Sequence, residues 1–290
     1  MIKIELPKNK HIGLIFDPRS GSHAFRNYIS STLTISNLSE FLNPQVNPLH
    51  ISVDKNKKVI YQYFTNDVEK NPKYELFNNT NINHWANEKF NLLDDMTHLD
   101  IFGIFGIMIR NTLSSYPEII KKIKERSDIY FIRSKRADVL YSIISIEISK
   151  HTTIWHNTDD KNTFSRVNIK DKFDIPVNTI KKHLEMYIKC ENLIEEIFDE
   201  MPVIYYEQWQ NNIRNLNKIL TLPNKLVSIG YQKFSGNYKN LISNIDDIEN
   251  YYEKFVNEHP EYFPQYFGKL PEIKIPELQG RQPNQFHEFH

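Results

Sequence analysis

The sequence lacks several features that would place it in a common class of protein. A single cysteine, Cys190, excludes an internal disulfide and fits a reducing compartment. The sequence contains no run of about 18 apolar residues that would predict a membrane-spanning helix. The first ten residues contain lysines, but no apolar segment of the signal-peptide type follows them. We therefore expect a soluble, cytoplasmic protein with no membrane partner.

Charge singles out no macromolecular partner either. Lysine and arginine total 36 residues, aspartate and glutamate total 36, and the formal net charge is zero. No long block of like charge indicates a nucleic-acid-binding arm or a polybasic membrane patch. The sequence predicts no nucleic-acid partner, and it is compatible with a homodimer.

Motifs of several enzyme classes are also missing. The sequence contains no G-x-x-x-x-G-K-[ST] phosphate loop, no G-x-S-x-G elbow around a serine nucleophile and no Cys-x-x-Cys pair. His50, His84, His98 and His151 are not spaced four residues apart from one another, as zinc ligands on one helix would be. We predict that the protein binds no metal.

The sequence does contain an alternation of apolar strands and amphipathic helices. Strands are predicted at 11–16, 101–109, 128–133 and 202–206, with a hairpin formed by 51–54 and 59–65. Helices are predicted at 23–34, from 117 onward, and at 136–150, 176–198 and 209–220. This alternation is typical of an α/β fold with a mostly parallel sheet flanked by helices.

One domain is predicted over residues 1–267, because no internal repeat and no convincing linker interrupts them. Prolines recur among polar residues toward the C-terminus, and 268–290 are predicted to form an extended tail. Cys190 falls in a predicted helix, where a buried, inert thiol is expected. Apart from the hairpin, the pattern between 36 and 100 assigns no element.

The segment Pro18-Arg19-Ser20-Gly21-Ser22 lies between a predicted strand and a predicted helix, where an anion can bind. The helix start presents backbone N–H groups, Gly21 allows close backbone approach, the serines add hydroxyl donors, and Arg19 supplies a cation. Taken alone, the same five residues also suit an ordinary loop with a helix cap. Residues further along the chain favour the anion site.

The loop resembles the 5′-phosphosulfate loop of PAPS-dependent sulfotransferases, in the form found in bacterial carbohydrate enzymes of the trehalose sulfotransferase type. The resemblance covers about residues 11–222: Phe105-Gly106-Ile107 is similar to the family's F-G-I/V strand, Trp155-His156 to its tryptophan-histidine pair, and Tyr206-Glu207 to its Y-E pair. It implies a P-loop-like sulfotransferase fold. It also implies transfer of a sulfuryl group from 3′-phosphoadenosine 5′-phosphosulfate (PAPS) to a hydroxyl of a carbohydrate or other small acceptor, with PAP as the product.

The resemblance further implies which residues hold the donor. The 5′-phosphosulfate would be held by the loop and the residue after it: Pro18, Arg19, Ser20, Gly21, Ser22 and His23. The 3′-phosphate would be held by an arginine and a helix serine, and the extra pair Ser134-Lys135 leaves two registers open: Arg136 with Ser145, or Arg133 with Ser142. Lys233, Tyr238 and Lys239 lie in a basic segment of the kind that folds over the adenosine end.

Catalytic roles follow from the same resemblance. Arg19 is expected at the bridging oxygen, where negative charge develops during transfer. Ser39-Glu40-Phe41 is similar to the family's E-E-Y/F motif, which makes Glu40 the expected base, although a glutamate near the turn signal Asn43-Pro44 is also an ordinary surface feature. His156 is the rival base, and Glu207 is expected to brace a strand end.

Two other functions stay open. His23 and Ala24 replace the threonine-leucine or threonine-tryptophan pair usual in the family, and Met108 replaces a frequent lysine. The unusual His23-Ala24 pair also fits a non-catalytic nucleotide-binding protein that retains the fold. A nucleoside or sugar kinase would share the architecture, but the sequence lacks the phosphate-loop lysine and a carboxylate pair for magnesium.

Overall fold

The computed structural model describes residues 3–40, 42, 50–53, 59–62, 79–110, 116–152, 172–198, 200–223 and 240–263. The strands are β1 (Ile4–Glu5), β2 (His11–Phe16), β3 (Ser36–Asn37), β4 (His50–Val53), β5 (Val59–Gln62), β6 (Gly103–Met108), β7 (Ile129–Lys135), β8 (Val203–Tyr205) and β9 (Leu220–Thr221). The helices are α1 (Ser22–Leu33), α2 (Asn79–His98), α3 (Pro117–Lys124), α4 (Val139–Thr152), α5 (Val177–Ile197), α6 (Leu216–Ile219) and α7 (Ile245–Glu258).

Five strands form a parallel sheet in the order β3-β6-β2-β7-β8. The central strand β2 is buried along its whole length, and the apolar residues from Ile12 to Phe16 are those expected of a strand covered on both faces. The predicted α/β fold with a mostly parallel, helix-flanked sheet is confirmed. A short parallel pair, β1 with β9, lies outside this sheet.

The two faces of the sheet bury separate apolar cores. Ile12, Leu14 and Phe16 face one side and pack with α1, whereas Ile15 faces the other side and packs with α2, α3 and α5. Each fully buried side chain of this kind is worth about 1.5–3 kcal/mol relative to exposure. The alternation along β2 therefore fixes the sheet between its helical layers.

The functional edge of this sheet follows from its strand order. The chain leaves β2 toward β3 at one edge of the sheet, and it leaves β7 toward β8 at the opposite edge. Parallel α/β sheets bind ligands at the carboxyl ends of neighbouring strands whose connections diverge in this way. The loop 17–21 and the segment 136–138 both begin there.

Most predicted boundaries agree with the structure. The predicted hairpin is present as β4 and β5, which pair antiparallel from His50 with Gln62 to Val53 with Val59. Helix α4 begins three residues later than predicted, because Asp138 accepts a hydrogen bond from the N–H of Tyr141 at 2.7 Å and so caps the first turn.

The helix predicted at 209–220 was wrong. That stretch contains the short 3-10 turn Ile213–Asn215 and the one-turn helix α6. Asn212 accepts a hydrogen bond from the N–H of Arg214 at 3.0 Å, and this local side-chain bond competes with a continuous helix. Trp209 is used in packing instead, with its ring 5.9 Å from that of Phe25.

Helices α2 and α7 and the short strands β1, β3 and β9 were not predicted from the sequence. Cys190 is buried on α5 as expected, and burial raises the pKa of its thiol to about 11. None of the described helices is long and apolar enough to cross a membrane. The boundary at 267 and the predicted tail 268–290 lie outside the described residues.

Candidate functional site

The loop after β2 has a backbone conformation that residues other than glycine rarely adopt. Arg19 has a φ of 64° and Gly21 a φ of 72°, both in the left-handed region. Such a conformation costs a non-glycine residue roughly 1–2 kcal/mol and persists only where the surroundings impose it. Its occurrence at Arg19, at the carboxyl end of the central strand, marks the loop as a candidate site.

All five carbonyl oxygens from Asp17 to Gly21 accept hydrogen bonds from protein donors. The Ser20 N–H donates to Asp17 O at 3.2 Å, and the Phe25 N–H donates to Gly21 O at 3.0 Å. The three carbonyls between them are held from the β7–α4 side by Ser142 Oγ on Pro18 O at 2.7 Å, Arg136 Nη1 on Arg19 O at 2.8 Å and Ser134 Oγ on Ser20 O at 3.3 Å.

The first-turn N–H groups of α1 lie at the end of this loop. The loop carbonyls are turned toward the protein, while α1 begins at Ser22 with first-turn N–H groups that have no acceptor within the helix. The helix dipole adds a partial positive charge at the same end. The loop is thus built to receive an anion without rearranging its backbone.

Two side chains of the loop bear on that role. Arg19 donates from Nε to Ser145 Oγ at 2.9 Å, so the loop arginine and the α4 serine already touch. Ser20 is fully buried, and its Oγ has no hydrogen-bond partner among the residues that the structure describes. A buried hydroxyl without a partner is uncommon in native proteins, and a ligand oxygen would satisfy it.

Gly21 is required by packing as well as by its backbone conformation. A Cβ at this position would lie 2.6 Å from Tyr206 and 2.7 Å from Trp209. Those rings pack edge to face, 5.0 Å apart. The segment after β8 therefore supports the loop from the α1 side of the sheet.

Arg136 occupies the junction between β7 and α4. Its guanidinium carbon lies 4.2 Å from the ring centre of Tyr141 and 5.0 Å from that of Tyr206, and its Nε is 3.7 Å from Glu207. Glu207 also accepts hydrogen bonds from the N–H groups of Ala137 at 2.9 Å and Asp138 at 3.3 Å. Glu207 thus supports the start of α4, a structural role beside the expected bracing of a strand end.

Arg133 points to the other side of the sheet. It is 5% exposed and donates from both terminal nitrogens to Glu191 on α5, with a 3.0 Å bond from Nη1 to Oε2. Lys135 donates to the same carboxylate at 2.8 Å, and Asp17 lies 3.8 Å from Arg133. Of the two registers left open by the sequence, the structure therefore brings Arg136 and Ser145 to the loop, along with Ser142, and uses Arg133 in a buried ion pair.

This buried charge cluster fixes the protonation of its members. Burial alone would raise the pKa of Glu191, but Arg133 and Lys135 hold it well below its usual range. Burial raises the pKa of Asp17 more than the nearby Arg133 lowers it. Removing one partner from such a buried pair leaves an uncompensated charge and costs about 3–5 kcal/mol. The cluster anchors the carboxyl ends of β2 and β7 to α5.

Glu40 lies just beyond β3, beside the strand β6. Ser39 has a φ of 55°, and its carbonyl accepts a hydrogen bond from the N–H of Gly106 at 2.7 Å. Glu40 is partly buried, which differs from a fully exposed glutamate near a turn. The structure thus places it toward the carboxyl ends of the strands, with β6 between it and the loop after β2.

A histidine that the sequence did not indicate lies beyond the end of β6. His183 Nε2 is 2.8 Å from Glu147 Oε1, and Arg110 contacts His183 Nδ1. A guanidinium can only donate hydrogen bonds, so Nδ1 of His183 is the acceptor. The ring proton is therefore on Nε2, which donates a hydrogen bond to Glu147. Burial and Arg110 lower the pKa of His183. These three residues come from three different elements, and no local motif joins them.

Four predicted site residues lie outside the described part of the chain: the rival base His156 and the segment residues Lys233, Tyr238 and Lys239. The same applies to Trp155 and Phe41. Within the described residues, no group of three or more His, Cys, Asp or Glu side chains is arranged to hold a metal ion.

Comparison with known proteins adds no assignment. No protein-family model matches the sequence, and no curated protein is significantly similar to it.

Proposed function

We propose that this protein is a PAPS-dependent sulfotransferase that transfers a sulfuryl group to a hydroxyl of a carbohydrate or another small acceptor. The observation that carries the proposal is the loop Asp17–Gly21 at the carboxyl end of the central strand, held through its carbonyls by Ser142, Arg136 and Ser134. A non-classical phosphate loop, paired with an arginine and serines after the neighbouring strand, suits a donor that carries two anionic groups.

The loop fits the donor's 5′ end by its chemistry. The start of α1 offers N–H groups and a positive helix end, and Arg19 adds a guanidinium. Ser20 Oγ is buried without a partner in the described part of the chain, and a phosphosulfate oxygen would accept its hydrogen bond. PAPS, when bound, supplies the activated sulfuryl group, and PAP leaves after transfer.

The residues of this chain then have separate tasks. Ser22 and the loop N–H groups orient the 5′-phosphosulfate, while Arg19 stabilises negative charge on the bridging oxygen. Arg136 and Ser145 hold the 3′-phosphate, in the register favoured by their position beside the loop. Glu40 accepts the proton of the acceptor hydroxyl, with His156 as the rival base. Positioning and charge stabilisation account for most of the expected rate enhancement.

One observation favours a second candidate, a non-catalytic nucleotide-binding protein with the same fold. The Nε of Arg19 is bonded to Ser145 at 2.9 Å, so two groups assigned to the donor are bonded to each other. Such a pair could serve to hold a nucleotide without promoting transfer.

A transfer assay separates the two candidates. The protein is incubated with PAPS carrying radiolabelled sulfur and with a panel of glycans and hydroxylated small molecules. Labelled product from any acceptor supports the sulfotransferase. PAP binding without transfer to any acceptor and without slow PAPS hydrolysis supports the non-catalytic protein instead.

A further inference from the structure

Arg26 is an arginine buried inside the site region, on the side of α1 that faces the sheet. It is 2% exposed, and its guanidinium carbon lies 5.5 Å from the ring centre of Phe16, the last residue of β2. A Cβ on Gly106 of β6 would lie only 1.9 Å from Arg26 Nη1. The glycine of the Phe105-Gly106-Ile107 sequence therefore leaves the space that this guanidinium fills.

Two nitrogens of the guanidinium lack a hydrogen-bond partner. Within the part of the chain that the structure describes, Nε and Nη1 are fully buried and bond to no other group. Burial lowers the pKa of Arg26 to about 10, with Glu40 acting in the opposite direction, so the group stays charged at neutral pH. Buried charges in native proteins are normally paired and hydrogen-bonded, because an unpaired one is costly.

The position of Arg26 relates this charge to the proposed reaction. Arg26 lies one helical turn after Ser22, and side chains on a helix lean toward its N-terminus, here toward the loop. Gly106, against which the guanidinium packs, also bonds to the carbonyl of Ser39, next to Glu40. Arg26 thus lies between the donor loop and the proposed base.

We propose that Arg26 binds an oxyanion between the loop after β2 and the end of β6. The inference rests on the proposed function for its interpretation, because two sources could supply such a group in a sulfotransferase. One is the sulfuryl group of the donor. The other is a carboxylate or sulfate ester on the acceptor, which would make the acceptor acidic. The N–H groups of a charged guanidinium donate strong hydrogen bonds to an oxygen of either group.

The test uses Arg26→Met, which keeps the length of the side chain but removes its charge and donors. In the first arm, wild type and variant are titrated with adenosine 5′-phosphosulfate and with adenosine 5′-monophosphate, which lacks the sulfuryl group. If the donor is the source, the preference for the phosphosulfate falls at least tenfold in the variant.

In the second arm, the PAP complexes of wild type and variant are titrated with glucuronate and glucose. If the acceptor is the source, the wild type prefers glucuronate and the variant loses that preference by a similar factor.

Gly106→Ala is the second variant, because its methyl group displaces the guanidinium while leaving Arg26 in the chain. It should lose the same preference as Arg26→Met. Arg26→Met should retain or raise the melting temperature, since it removes a buried charged group whose Nε and Nη1 have no hydrogen-bond partner among the described residues. Unchanged preferences in both arms would overturn the inference, and a lower melting temperature of the variant would then make Arg26 a structural residue. Failure of wild type to bind PAP would instead overturn the proposed function. Titration of wild type and Arg26→Met with inorganic sulfate would then test the anion site by itself. Equal sulfate affinities of the two proteins would overturn the inference about Arg26.

Discussion

Arg136 donates a hydrogen bond from Nη1 to the carbonyl oxygen of Arg19, over a distance of 2.8 Å. The bond joins the segment after β7 to the loop after β2, across the point where the connections of the two strands diverge. Both segments are proposed to hold the same donor molecule, one at each end. We therefore expect a change in the geometry of one segment to affect binding at the other.

The first prediction concerns the 3′-phosphate. Ser145→Ala and Arg136→Ala should each weaken PAP binding, while adenosine 5′-phosphosulfate, which lacks that phosphate, should be affected much less. A hydrogen bond to a charged group is worth roughly 1.5–3 kcal/mol, so the arginine change should cost about tenfold or more. Calorimetric titration with both ligands measures the difference.

Ser149→Ala is the matched control for Ser145→Ala, because Ser149 Oγ bonds within α4 to the carbonyl of Ser145 at 2.8 Å. It should leave both affinities unchanged. Equal losses for the two ligands would refute the assignment. A selective loss in a folded Arg133→Ala variant, with none in Arg136→Ala, would establish the other register.

The second prediction concerns the loop backbone. Gly21→Ala should lower the free energy of unfolding by about 2 kcal/mol or more, because alanine is strained at a φ of 72° and its Cβ would meet Tyr206 and Trp209. Chemical denaturation measures this loss. Ser22→Ala, one position later and inside α1, should change stability by less than about 0.5 kcal/mol. Similar stabilities for the two variants would show that the loop conformation is not imposed as described.

The third prediction concerns pH. His11 Nδ1 accepts from the N–H of Gly103 at 3.2 Å, and His11 Nε2 lies 3.1 Å from Thr97 Oγ1, which donates to Asp128 at 3.1 Å. This chain requires a neutral ring, and burial lowers the pKa of His11 despite the nearby Asp128. The unfolded chain, with an ordinary pKa of about 6.5, takes up the proton first, so stability falls as pH decreases below that value.

The variant His11→Gln keeps an acceptor and a donor but cannot titrate. Between pH 6.5 and 5.5 wild type should lose up to about 1 kcal/mol more stability than the variant. Urea denaturation at several pH values measures both slopes. Parallel slopes would mean that His11 is not held neutral.

The fourth prediction concerns the base. Glu40→Gln preserves the shape of the side chain, so PAP affinity should survive while turnover falls by roughly 10²–10⁴, the usual contribution of a positioned base. His156→Gln is compared in the same transfer assay across pH. Near-normal turnover in the Glu40 variant, with the loss appearing in the His156 variant, would move the role to His156.

The sequence predicted those parts of the fold that local pattern determines. The apolar run of β2 and the glycine-containing loop before α1 are continuous in sequence, so strand, turn and helix were all recognisable. Helix α2 was missed because its sequence mixes asparagine and charged residues with few aliphatic ones.

The site was only partly predictable, for a physical reason. The loop residues and the serines of α4 were recognisable because each set lies on one element. The burial of Arg26 depends on a glycine in a distant strand, and that of Glu191 on two cations of β7. In sequence, each resembles an ordinary charged residue on a helix, and only tertiary packing shows its role.

Calorimetric titration of the protein with PAP, in parallel with ATP, tests the central claim most directly. A donor site built from the loop after β2 and the residues after β7 predicts saturable binding of one PAP per chain at micromolar concentrations, stronger than the binding of ATP. No heat of binding up to high micromolar PAP, or tighter binding of ATP than of PAP, would contradict the account.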